Sequence, residues 1–286
     1  MNNDLLTKLE THYKKMSKGQ KRIADYIMAH YDKAAFMTAS KLGSIAGVSE
    51  STVVRFASEL GYDGYPALSV ALQDMVRTKL TAVQRMEIAS TGIDEENLLG
   101  AVLQSDMDNL RKTLETIDPE TFHKSVDAIN CAKNVYILGV RSSSALASFM
   151  GFYFNLMFDN VKVVHTNSVS EMFERMMRVD DRDVVIGISF PRYSKRTVQA
   201  LKYAKDRNAT VISITDSVGS PLVGFSDYAL IARSSMASFA DSLVAPLSVI
   251  NALIFALGMR NKDDVYKTFE KLEGIWDEYN VYEKTK

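Results

Sequence analysis

Apolar residues recur along this chain in two rhythms, and the change from one to the other divides it. Up to about residue 79 the spacing is helical. Ser17-Lys-Gly-Gln20 offers a hydroxyl N-cap with a glutamine three residues on, and Ile23, Ile27 and Met28 follow at helical intervals, predicting a helix from Ser17 to about His30. A second helix is predicted from near Thr38, with Leu42, Ile45 and Ala46 turned inward and Gly47 ending it in a left-handed conformation. Ser49 is a good cap for a third, in which Val53, Ala57 and Leu60 share one side while Ser51, Arg55 and Ser58 fall opposite. Gly61 ends it, and Gly61 to Pro66 separates it from a fourth helix, roughly Ala67 to Lys79. Beyond residue 134 the rhythm shortens. Val135–Leu138, Val161–Val164, Val184–Ile188, Val211–Ile214 and Tyr228–Ile231 read as strands, so apolar that burial on both faces is expected, as in a parallel sheet with helical crossovers.

The second and third helices, joined by a glycine-containing turn, have the pattern of a helix-turn-helix. The later helix packs one face and offers short hydroxyls and an arginine to the major groove of double-stranded DNA. Ser49, Ser51, Thr52, Arg55 and Ser58 are the candidate contacts, with Lys41 for phosphate. Lys18, Lys21 and Arg22 are further phosphate candidates, ordinary solvated charge being the alternative for each. Thr38 to Leu42, then Val48-Ser-Glu-Ser-Thr-Val-Val-Arg-Phe and Leu60-Gly-Tyr, resemble the N-terminal domain of RpiR-type bacterial regulators over nearly all of residues 1–78. That resemblance implies a DNA-binding domain working as a homodimer or homotetramer on an inverted-repeat operator.

Residues 79–96 mix charges with a Ser-Thr-Gly interruption and carry no long apolar stripe, so the linker is placed there and a second domain over 97–286. Leu98, Val102, Met107, Leu110 and Leu114 predict a helix ending before Asp118-Pro119, packed either on the second domain or between two subunits. In an open α/β sheet, ligands collect at the carboxyl ends of strands where the winding reverses. The loops after the first and third strands hold Arg141, Ser142, Ser143 and Ser144, and Ser189, Arg192, Ser194 and Thr197. Both open helices, whose N-terminal amides favour anions, while hydroxyls add donors and arginine can clamp a phosphate. Simple helix capping is the alternative for each serine.

These segments, with Ile214-Thr-Asp-Ser217, Ser220-Pro-Leu222 and Asp227-Tyr228, resemble the SIS (sugar isomerase) domain over about residues 125–260. The resemblance implies a helix-turn-helix domain joined to an α/β SIS domain with a five-stranded parallel sheet of flavodoxin-like winding, and a phosphorylated sugar or sugar-acid effector. Ser142 to Ser144 then match the first phosphate loop, and Ser189, Ser194 and Thr197 fall in the second. The usual loops carry extra glycine where this chain has Arg141 and Pro191-Arg192. Guanidinium charge is gained, implying an effector more anionic than a hexose monophosphate, unless either arginine is held internally by Glu171 or Asp241.

The SIS fold serves isomerases as well as sensors. An isomerase needs a base, for which Glu171, also counted with the effector residues, and His165 are candidates. A helix first-turn carboxylate is the plainer reading of Glu171. A DNA reader has no use in a metabolic isomerase, so a transcription regulator of carbohydrate metabolism is expected rather than an enzyme, with phosphosugar isomerase as the alternative.

Composition changes this picture little. A length of 286 residues with 47% apolar content allows about two domains. Net charge is −1, but residues 1–80 carry +3 and the remainder −4, which permits DNA binding at the N-terminal end. The polar opening has no signal-peptide core and no apolar run approaches a membrane span, so a cytoplasmic protein without a membrane partner is expected. Cys131 is read as structural; four scattered histidines suggest no metal site, and no cofactor is expected. Core packing, with a subunit interface as the alternative, is expected for the 238–247 segment and the helix Leu247 to Leu257 it leads into, and packing rather than a cofactor site for the Val265, Phe269, Leu272 and Trp276 stripe of a last helix from about Asp264 to Tyr279.

Overall fold

A computed structural model describes residues 5–79, 81–90, 97–164, 166, 168–235 and 240–283. Two units make up the chain, one holding the residues up to Ala101 and the other Val102–Ser235 with Asp241–Lys286.

The first unit is helical. After α1 (Leu5–Tyr13) comes α2 (Lys18–Ala29), opened by a reciprocal cap in which the Gln20 amide donates to Ser17 Oγ and the Ser17 amide to Gln20 Oε1. The single turn α3 (Tyr31–Ala34) leads to α4 (Ala39–Ala46), α5 (Glu50–Glu59) and α6 (Gly64–Lys79). Leu9, Ile23, Ile27, Leu42, Val53, Phe56, Leu68 and Leu72 form its buried core. Two expectations change here. Ile45 lies on the exposed face, because Leu42 and Ala46, four residues apart, already form the inward stripe of α4. And α6 starts at Gly64, ahead of the expected Ala67, since Pro66 falls in the first turn, where a helix needs no amide donor.

After α7 (Ala82–Ser90), α8 (Leu98–Thr116) forms over the expected span, with most of its apolar stripe left uncovered by the second domain. Its buried residues are polar. Asn109 Nδ2 donates to Ser235 Oγ at 2.6 Å, Thr113 Oγ1 accepts the Arg233 amide at 2.8 Å, and Asp106 accepts the Ser242 hydroxyl at 2.5 Å. Leu98, Val102, Met107 and Leu114 are exposed. Next, α9 (Pro119–Cys131) ends at an exposed Cys131, correcting its structural reading.

The sheet comprises β1 (Val135–Gly139), β2 (Val161–Val164), β3 (Val184–Ile188), β4 (Thr210–Thr215) and β5 (Tyr228–Ile231). All are parallel in the order β2-β1-β3-β4-β5, the flavodoxin-like winding, which reverses direction between β1 and β3. Helices α10 (Ser143–Met157), α11 (Val169–Met176), α12 (Lys195–Lys205), α13 (Val244–Arg260) and α14 (Lys262–Glu278) surround it. Alternation sends Val135, Ile137, Ile186 and Ile212 against α9, α10 and α13, and Tyr136, Leu138, Val185 and Val211 against α11 and α12. β1 and β3 are buried throughout and β4 nearly so, but β2 and β5 are only partly buried, because an edge strand has a neighbour on one side alone.

Helix α13 buries Val249, Ile250, Leu253 and Leu257 as expected; of the segment leading into it, residues 238 and 239 lie outside the described set. On α14 no residue is fully buried, and the Val265, Leu272 and Trp276 stripe is half-covered with Phe269 exposed. Among the described residues no single helix is long and apolar enough to cross a membrane.

Candidate recognition helix and anion-binding loops

Two groups of residues carry chemistry. In the first, Gly47 ends α4 at φ 64°, where its amide donates to the carbonyls of Gly43 and Ser44, and the reversed backbone carries Val48 N back to Gly43 O at 2.8 Å. Such a tight reversal requires a residue without Cβ strain. Ser49 then caps α5, its hydroxyl accepting the Thr52 amide at 3.3 Å and sharing hydrogen bonds with the Ser51 and Thr52 hydroxyls, each at 2.9 Å. Buried Val53, Phe56 and Ala57 fix the helix's rotation, leaving Ser51, Val54, Arg55 and Ser58 exposed and Thr52 half-covered. The structure thus gathers Ser49, Ser51, Thr52, Arg55 and Ser58 at one helix, with Ser49 engaged as its cap.

Lys41 and Lys18 are exposed on neighbouring helices, the Lys21 ammonium lies 5.5 Å from the Tyr13 ring centre, and the Arg22 guanidinium rests against the Gly47 turn. Buried Gln20 donates to Glu59 at 2.6 Å and so ties α2 to the end of α5. That brace was hidden in the sequence, since the partners are 39 residues apart.

The second group lies where β1 and β3 end side by side, Gly139 opposite Ile188. A Cβ on Gly139 would stand 2.4 Å from the Ser143 carbonyl oxygen, so glycine is what lets α10 start against the strand end. Ser142, at the N-cap, makes no side-chain capping bond; Ser144 Oγ donates to the Arg141 carbonyl at 2.5 Å. The amides of Ser142 and Ser143 find no acceptor among the described residues, as the first amides of a helix do, and a helix start favours an anion. After β3, buried Ser189 accepts the Ser194 amide at 3.1 Å, and Ser194 in turn caps α12 through the Thr197 amide at 3.4 Å. The Thr197 hydroxyl is buried without a partner among the described residues. Arg141 and Arg192 are both exposed.

Sequence reasoning passed over Tyr193 and Asp216 as site residues. The Tyr193 hydroxyl donates to Asp216 Oδ1 at 2.8 Å, and burial followed by the Asp216 charge raises its pKa far above the ordinary phenol value. Thr215 Oγ1 donates to the Ser189 carbonyl at 2.8 Å, so the end of β4 holds the second loop in place. Glu171, in the first turn of α11, accepts a hydrogen bond from Thr166 at 2.5 Å and from Arg175 at 2.9 and 2.7 Å, and these lower its pKa below the usual carboxylate range. His165 lies outside the described residues. Among the described residues, no three His, Cys, Asp or Glu side chains are grouped to hold a metal.

Residues 3–79 match the helix-turn-helix domain of the rpiR family, and residues 128–256 match the SIS domain. An uncharacterized HTH-type transcriptional regulator of Haemophilus influenzae is 27% identical, with 92% of each chain covered. The HTH-type transcriptional regulator HexR of Escherichia coli is 28% identical over 77% of this chain and 74% of its own. Among solved structures, the sugar isomerase domain of an RpiR transcription factor from Sphaerobacter thermophilus superposes with a TM-score of 0.59 at 27% identity, over 62% of this chain and 98% of that one. The Vibrio vulnificus NanR protein complexed with ManNAc-6P gives 0.58 at 25% identity, over 95% and 98%.

Proposed function

As a member of the RpiR-type regulators, with an rpiR-family helix-turn-helix domain and a SIS domain in one chain, this protein is, we propose, a transcription factor whose operator binding responds to a phosphorylated sugar. The observation that carries the DNA half is the rotation of α5, which buries Val53, Phe56 and Ala57 and leaves Ser51, Arg55 and Ser58 outward as a groove-reading face requires. For the effector half, support comes from the hydroxyls, open amides and arginines at the β1 and β3 loops, and from the NanR relative, which was solved with a phosphosugar. Arg141, Ser142, Ser143, Ser144, Ser189, Arg192, Ser194 and Thr197 are the residues assigned to it.

The domain reading that accompanies this is a DNA-binding part over 1–78, a linker over 79–96 and a sensor over 97–286. Assembly as a homodimer or homotetramer goes with it, supported by the exposed leucines of α8 beside an apolar groove of about 500 Å³ lined by Leu110, Leu114, Ile117, Phe122, Val249 and Ala252. An isomerase would need a carboxylate that takes up protons readily. Glu171, hydrogen-bonded by Thr166 and Arg175 and lowered in pKa, is poorly suited to that task.

Fluorescence anisotropy on operator fragments selected from genomic DNA tests the proposal, with and without a sugar-phosphate panel. A compound that changes DNA affinity by a given factor must have its own affinity changed by the same factor when DNA is bound. Failure of every fragment to bind the full chain would remove the DNA-reading half. Binding indifferent to all sugar phosphates would remove the sensing half.

A further inference from the structure

Among the described residues, four that are not glycine adopt positive φ: Arg141 at 57°, Arg192 at 64°, Asn208 at 62° and Asn280 at 52°. Asparagine enters this left-handed region readily because its short polar side chain bonds locally, whereas in arginine Cβ is pressed toward the following carbonyl. Both left-handed arginines lie in the two loops at the sheet's switch point. Glycine in either place would remove the strain and leave the loop path intact.

Neither guanidinium has a hydrogen bond or ion pair with a described residue, and Glu171, one of the internal partners that could have held them, is bound to Thr166 and Arg175 instead. Lys195 and Arg196 occupy the first turn of α12, where the positive helix end disfavours cations, and they too have no ion pair with a described residue. Arg141, Arg192, Lys195 and Arg196 thus place four cations in the two loops and the helix turn that follows the second, while Asp216, just after β4, is buried and engaged by Tyr193. One phosphate, with a charge of about −2, leaves roughly half of that positive charge unmatched.

Resting on the phosphosugar reading above, we infer that Arg141 and Arg192 recognise a second anionic group on the effector, which is therefore a sugar phosphate bearing a further carboxylate or phosphate. The first phosphate belongs at the start of α10, on the open amides and hydroxyls of Ser142 and Ser143. Guanidinium forks are suited to the second group because each presents two parallel donors to a carboxylate or a phosphate. Left-handed backbone at both positions is then tolerated for what the side chains bind.

Isothermal titration of the full chain at fixed ionic strength tests this with matched probes. Glucose 6-phosphate is compared with 6-phosphogluconate, which adds a carboxylate, and with glucose 1,6-bisphosphate, which adds a phosphate; fructose 6-phosphate is compared with fructose 1,6-bisphosphate. At least one doubly anionic probe is expected to bind about ten- to a hundredfold tighter than its matched monophosphate, the range of a charge-assisted contact. In the Arg141→Gly/Arg192→Gly double variant that ratio is expected to fall to within about threefold, while the unliganded Tm stays at or above that of the parent. If the double variant does not fold, the two single variants serve, each lowering the ratio.

Near-equal binding of matched probes by the parent protein overturns the inference and leaves the phosphosugar reading standing. A preference that survives loss of both arginines also overturns it, since the discrimination then lies elsewhere. Silence from all five compounds overturns both.

Discussion

Left-handed backbone costs an ordinary residue about 1–2 kcal/mol relative to the right-handed form, while glycine adds about 0.5–1 kcal/mol of unfolded-state entropy. Replacing Arg141 or Arg192, both at positive φ, by glycine is therefore expected to raise stability by up to about 1 kcal/mol each, read from urea melts of the unliganded protein. Gly47→Ala reverses the argument: φ 64° there predicts a loss of about 1–2 kcal/mol. The sequence showed that arginine stands where such loops usually carry glycine. It could not show the backbone angle, because loop conformation is set by the strand ends and helices that the loop must join. Glu171 is a similar case. Its lowered pKa, due first to Thr166 and then to Arg175, means a contribution to stability that is present above the usual carboxylate range and lost as pH falls through it. Thr166→Val removes the larger cause, so the variant's urea midpoint is expected to decline less than the parent's between about pH 5 and pH 2.

At the scale of elements, the helix-turn-helix was legible because local signals agree: the Ser17 and Ser49 caps start α2 and α5, the Gly47 stop ends α4, and the Val53 and Ala57 stripe marks the covered face of α5. Two outcomes follow for α5. Ser49→Ala is expected to cost about 1 kcal/mol by removing the cap. Arg55→Ala, at an exposed position, is expected to change stability by less than about 0.5 kcal/mol but to weaken operator binding by about 1–3 kcal/mol in anisotropy titrations. Helix α8 was legible in span and not in orientation. An apolar stripe marks a face that leaves water without saying what covers it, and here Asn109 and Thr113 take the inward side because the Arg233 amide and Ser235 hydroxyl need partners there.

The whole molecule is where that uncovered apolar stripe has its consequence. Leu114 is 79% exposed, so Leu114→Asp is expected to leave the unfolding free energy of the SIS unit unchanged within about 0.5 kcal/mol. In sedimentation velocity it is expected to shift the protein toward smaller species; an unchanged assembly would show that α8 does not join subunits. What the sequence by itself determined is the fold class and those elements that carry local signals, namely the caps, the glycine stop, the five apolar runs and the hydroxyl-rich loops; α1, α3, α7 and α9 carried no such reading. Only the tertiary structure decided which face of α8 is covered, that Tyr193 leans on Asp216, and that Arg141 and Arg192 are left-handed and unpaired by described residues. Each of those depends on groups far apart in the chain. Burial, buried hydrogen-bond demand and chain closure settle such matters jointly, and no window of sequence contains all the parties.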